Sequence, residues 1–87
     1  DYQTLVNIQA DVDGVTSATS MPGRLIFGTT PVGSISPYER MRITNAGKVG
    51  IGTNSPSALL HIVQSVTGTN NSLIVEDDDR KILIGNF

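Results

Sequence analysis

The chain has 87 residues, a net charge of −2 from six basic and eight acidic residues, and no cysteine. That length holds one small domain whose core is marginal alone, and the missing thiols exclude disulfides and thiolate zinc sites as compensation. The charge balance leaves no basic stripe for nucleic acid, and the longest apolar run, Ile82-Leu83-Ile84, is far too short for a membrane-spanning helix. Association with other chains is the remaining common route to stability.

Thr, Val and Ile are plentiful, nine Gly and four Pro recur, and no window shows a sustained helical stripe. The pattern predicts an all-β fold. Tyr2 to Ala10 alternates, with Tyr2, Thr4, Val6 and Ile8 on one face. Val12 to Gly23 reads as a loop, and Arg24 to Thr29 as a strand with Leu25 and Phe27 on one face. Thr30 to Pro37 is a second loop. Glu39 to Thr44 alternates again, with Met41 and Ile43 inward and Arg40, Arg42 and Thr44 outward.

Asn45-Ala46-Gly47 fits a three-residue hairpin loop, with Gly47 in the left-handed position that a side chain makes costly. Val49 and Ile51 return along the partner strand. Gly50 and Gly52 leave one face of that strand bare, which suits close approach of another backbone; a neighbouring chain is the expected occupant. Leu59 to Val63 forms a further strand after Pro56. Ser72 to Glu76 and Arg80 to Gly85 form a second hairpin around Asp77-Asp78-Asp79. Lys81-Ile82-Leu83-Ile84-Gly85 echoes Lys48-Val49-Gly50-Ile51-Gly52 about 33 residues earlier, a weak internal repeat. The alternation predicts a buried set of Leu25, Phe27, Met41, Ile43, Val49, Ile51, Leu60 and Ile62.

Motifs with chemical potential are few. A phosphate loop needs its first Gly five residues before the Gly-Lys pair; here that position is Arg42, and Lys48 is followed by Val49, so a turn explains the glycines better. Glu76 to Asp79 is a run of carboxylates that can attract Ca²⁺, but its spacing is not that of an EF-hand, and a solvated hairpin tip is favoured. His61 has no nucleophile with an obvious partner; three copies meeting on a threefold axis could bind a metal or an anion. Asn70-Asn71-Ser72 is a glycosylation sequon. Tyr38, at a loop-to-strand junction, can stack on a sugar or simply pack on its neighbour. These readings assign no catalytic, cofactor-binding or metal residues.

Three stretches, MPGRLIFGTTPVGS, SPYERMRI and GKVGIGTNSP followed by LHI, run from Met21 to Ile62. In combination they resemble a shaft or linker module of bacteriophage tail fibres, of the kind often found upstream of an endosialidase-type intramolecular chaperone domain. Nothing in the chain resembles that chaperone. The resemblance implies a homotrimer whose strands intertwine about one axis as a triple β-helix or β-prism. It also implies a virion component outside the cell, serving host attachment by setting receptor-binding tips at reach.

The chain therefore reads as one fibre segment, 1–87: an N-terminal strand and loop (1–20), the tail-fibre-like module (21–62) and a second hairpin (63–87). It opens at Asp1 without Met and reads as an excerpt of a longer polypeptide, which leaves targeting open. The expected role is structural, with no enzymatic activity, no cofactor and no membrane insertion. Its expected partner is itself. The alternatives are a host glycan-binding module using the loops Val12 to Ser20 and Val66 to Ser72, or a segment of a bacterial surface adhesin or filament. A depolymerase fragment would need paired carboxylates at a cleft, and most acids here lie in one run.

Overall fold

In the computed structural model, residues 4–64 and 71–85 are described, Asn71 by its backbone alone. Tyr2, Phe87, Asn70 of the sequon and the stretch 66–70 of the second glycan-loop candidate lie outside the described residues. Alternating β-branched residues punctuated by Gly and Pro favour pleated backbone over helix. The described residues accordingly form strands, turns and bends with no helix, as the all-β reading expects.

The strands are β1 (Val6–Val12), β2 (Gly23–Thr29), β3 (Tyr38–Ile43), β4 (Val49–Ile51), β5 (Leu60–Ile62), β6 (Asn71–Glu76) and β7 (Lys81–Gly85). The first five build one sheet in chain order, and β6 and β7 build a separate two-stranded sheet. β1 to β4 form an antiparallel meander; β5 lies parallel to β4.

Pairing of β1 with β2 runs from Val6 opposite Thr29 to Val12 opposite Gly23. It continues into the connection. The Asp13 N–H donates to the Pro22 carbonyl (3.0 Å), and Ser17 and Ser20 bond each other's backbone. Val12 to Gly23, expected as a plain loop, is thus a hairpin arm. Its Ser- and Thr-rich composition hides the pairing because no apolar alternation is needed where both faces meet water.

Between β2 and β3 the register shifts: Phe27 faces Met41 while Gly28 faces Glu39, leaving Arg40 as an extra residue. A bulge re-aims the side chain it carries. Arg40 Nε donates to Thr29 Oγ1 at 2.7 Å, and the guanidinium lies 5.6 Å from the centre of the Tyr38 ring. Arg40 therefore leaves the ladder it was expected to share with Arg42.

The β3–β4 turn follows its sequence. Gly47 N–H donates to the Thr44 carbonyl (2.9 Å), and Thr44 N–H donates to Lys48 (2.9 Å). Gly47 has φ +80°, the left-handed position expected of it.

The parallel β4–β5 pair was not legible in the sequence. Parallel neighbours need a crossover, and here residues 52–59 supply a short one because both strands have three residues. The crossover folds over Gly50, where an added Cβ would lie 2.6 Å from the Thr53 carbonyl oxygen and 3.4 Å from Pro56 Cβ. Gly52 has φ +78° and its own close neighbour, the Val63 carbonyl. The bare strand face predicted from Gly50 and Gly52 does accept another backbone. That backbone comes from the same chain.

Candidate functional site

Residues opposite one another in a sheet share a face. The register therefore sorts the five-stranded sheet into two unlike faces. One carries Val6, Ile8, Ala10 and Val12 of β1; Leu25, Phe27 and Thr29 of β2; Tyr38, Met41 and Ile43 of β3; Val49 and Ile51 of β4; and Leu60 and Ile62 of β5. It is apolar except at its Thr29–Tyr38 end, where the Arg40 guanidinium lies over Tyr38. The other carries Asn7, Gln9, Asp11, Arg24, Ile26, Glu39, Arg42, Gly50 and His61.

The eight residues expected to form the core all fall on the apolar face. None of them is buried: Ile51 and Leu60 are exposed and the rest half-buried. The physical reason is that no second layer among the described residues lies on them. Among those residues every substantial contact between strands is within a sheet, and β6–β7 does not pack on the larger sheet. Among the described residues the one buried hydrophobic side chain is Ile26, at 8% exposure. It sits on the polar face between Gln9 and Arg42, where long side chains lend their stems as cover.

The surface area measures what is missing. The chain exposes 6850 Å², against roughly 4,900 Å² for a globular monomer of its mass, an excess of roughly 1,900 Å². Its radius of gyration is 16.2 Å, against roughly 12 Å for a compact domain of this length.

The polar face is held by charged clamps. Arg42 pairs with Glu39 through Nη2–Oε1 (2.5 Å) and Nε–Oε2 (2.8 Å), and this bond to Glu39 raises the guanidinium's pKa further above its ordinary value. Arg42 Nη1 also reaches the Asn54 carbonyl at 3.5 Å. Beside this pair lies an open notch of about 380 Å³ lined by Glu39, Gly52, Thr53 and Asn54. With the Glu39 carboxylate already engaged, the notch presents no acid–base pair.

A second clamp joins sequence-distant turns. Asp13 accepts from the Asn45 backbone N–H (2.8 Å), Asn45 Nδ2 (2.7 Å) and Arg24 Nη1 (3.3 Å), while Arg24 Nη2 approaches Asp11 at 3.7 Å. Asn45 Nδ2 also donates to the Asp13 carbonyl at 2.8 Å. The clamp ties the β1–β2 arm to the β3–β4 turn. No local pattern announced it, because its members lie 32 residues apart.

The Asn45 backbone N–H, then its amide, then Arg24 hold the Asp13 carboxyl below the usual carboxylate range. A depressed folded-state pKa contributes stability above the unfolded value, near 3.9, that is lost as pH falls through the folded value. Asp13→Asn is therefore expected to melt below the wild type at pH 7, with the gap narrowing below about pH 4. Thermal melts from pH 7 to 2.5 check this; a gap that stays constant with pH would remove the ionised carboxylate from the account.

The remaining candidates are dispersed. His61 lies on the polar face, its Nδ1 accepting the Ser57 backbone N–H at 3.1 Å. It faces away from the apolar surface, so packing that surface about an axis would turn His61 outward. Of the run Glu76 to Asp79, Glu76 ends β6 opposite Lys81 and the three Asp lie in the β6–β7 turn with Arg80: Asp77 Oδ1 accepts the backbone N–H groups of Asp79 (2.8 Å) and Arg80 (2.7 Å). An Asx-type turn accounts for that Asp. No group of three or more possible metal-ligating acids and histidines occurs among the described residues. Tyr38 is exposed, but Arg40 lies over its ring, which reduces the face open to a sugar. No protein-family model and no curated protein matches the chain.

Proposed function

We propose that this chain is a structural segment of a homotrimeric bacteriophage tail fibre, a virion part outside the host cell that holds receptor-binding tips at reach. The observation that carries the reading is the apolar face of the five-stranded sheet, which nothing among the described residues covers. A sheet is stable when its apolar face is buried against another layer, and in this reading other copies of the chain supply that layer. The excess of roughly 1,900 Å² per chain suits an obligate interface. The threefold stoichiometry and the fibre assignment rest on the Met21 to Ile62 resemblance.

The role is mechanical: apolar faces packed about a long axis give a stiff rod with polar faces and hairpin arms outward. No reaction is assigned to the chain. Sedimentation equilibrium of the purified protein is expected to give the mass of three chains. A folded species at the mass of one chain would end the self-association reading, and a two-chain mass would replace the fibre with a face-to-face dimer.

A further inference from the structure

The β6–β7 hairpin carries apolar residues that the five-stranded sheet does not use. Register places Leu73, Val75, Ile82 and Ile84 on one face. The opposite face mixes Ile74 and Leu83 with the cross-strand pair Glu76 and Lys81. One side is uniformly apolar and the other carries both charges, so the two sides have different environments to meet.

A lone two-stranded hairpin is marginal in water. Among the described residues this one gains no cover, because β6–β7 does not pack on the larger sheet. Ser72 Oγ donates to Gln64 Oε1 at 2.8 Å, which holds the hairpin's base beside the chain leaving β5.

We infer that the Leu73, Val75, Ile82 and Ile84 face is a second self-association seam, in which the hairpins of neighbouring copies pack these same four residues against one another. The inference rests on the self-association proposed above. Symmetry brings identical patches together around an axis, and a patch of four aliphatic side chains with no charge is self-complementary. Glu76 and Lys81 then stay in water on the far face. The roughly 1,900 Å² excess is available for such a seam, since it counts the hairpin as well as the sheet.

The chain has no cysteine, so single engineered thiols report cleanly. In one chain Val75 and Ile82 are 53% and 59% exposed, more than Ile74 at 47% and Leu83 at 48%. An unassociated hairpin would label Val75→Cys and Ile82→Cys at least as fast as Ile74→Cys and Leu83→Cys. The seam reverses that order. In the full-length assembly, V75C and I82C are expected to react with a thiol reagent at least tenfold more slowly than I74C and L83C. On mild oxidation V75C or I82C should give inter-chain disulfides, while L83C should not. Equal labelling on both faces, or preferential cross-linking through L83C, would overturn the seam while sedimentation still reports an assembly. Slow labelling at V75C and I82C without self-cross-linking would also overturn it, because the face would then dock on something other than its own copies. A single-chain mass for all variants and the wild type would remove the underlying self-association instead.

Discussion

Ile8→Lys is expected to dissociate the assembly while leaving the single-chain fold intact. Ile8 lies on the apolar face opposite Phe27 and is 69% exposed in one chain. A lysine there meets water in the monomer and perturbs little. In an assembly that covers this face, the same ammonium is buried without a partner. Stranding a charge in that way costs on the order of 3–5 kcal/mol, or roughly a hundredfold to several-thousandfold in association. Gln9→Lys, one residue along and on the polar face, is the control and should leave the mass unchanged. Sedimentation velocity of both variants at equal concentration reads the difference, and circular dichroism checks the strands. An Ile8→Lys protein that keeps the wild-type mass would show that this face is not the interface.

The contrast between Ile8 and Gln9 also shows what the sequence made legible. Period-two alternation in Arg24 to Thr29 and Glu39 to Thr44 marked β2 and β3 and sorted their apolar residues to one side. The Gly47 turn and the Asp77 turn were readable because each needs a specific local residue: one that tolerates positive φ, and one that bonds its own backbone. What alternation cannot report is what covers a face. Leu25, Phe27, Met41 and Ile43 share a face as the pattern requires, yet they lack a second layer, because burial depends on partners the local pattern does not contain.

The departures share a cause. The Arg40 bulge depends on how β3 meets β2, and the Asp13–Asn45 clamp depends on two turns meeting across the sheet. Neither is encoded within a window of a few residues. Gly50 and Gly52 carried a correct local message, that backbone approaches closely, with the wrong source attached. The source is this chain itself: the crossover folds over Gly50, and Val63, just past β5, lies against Gly52.

The close approach of Val63 makes Gly52 the position where one methyl group has the largest expected effect on stability. Gly52 has φ +78°, and a Cβ there would overlap the Val63 carbonyl oxygen. Gly47 has nearly the same φ, +80°, but nothing lies within 4 Å of its added Cβ. The pair separates two costs of the same substitution. Gly47→Ala meets only the left-handed backbone penalty, about 1 kcal/mol. Gly52→Ala adds overpacking against a backbone that β5 pairing holds in place, since Val63 N–H donates to the Ile51 carbonyl at 2.9 Å; the total is roughly 2–5 kcal/mol. For a domain of this size that is a fall in Tm of roughly 10–30 °C, against about 4–8 °C for Gly47→Ala. Relief by swinging β5 off β4 would also remove Leu60 and Ile62 from the apolar face, so Gly52→Ala should weaken self-association where Gly47→Ala does not. Melts at matched concentration, paired with sedimentation, test both parts. Equal melting of the two variants would mean that Val63 does not constrain Gly52, and the close approach of the two backbones there would have to be abandoned.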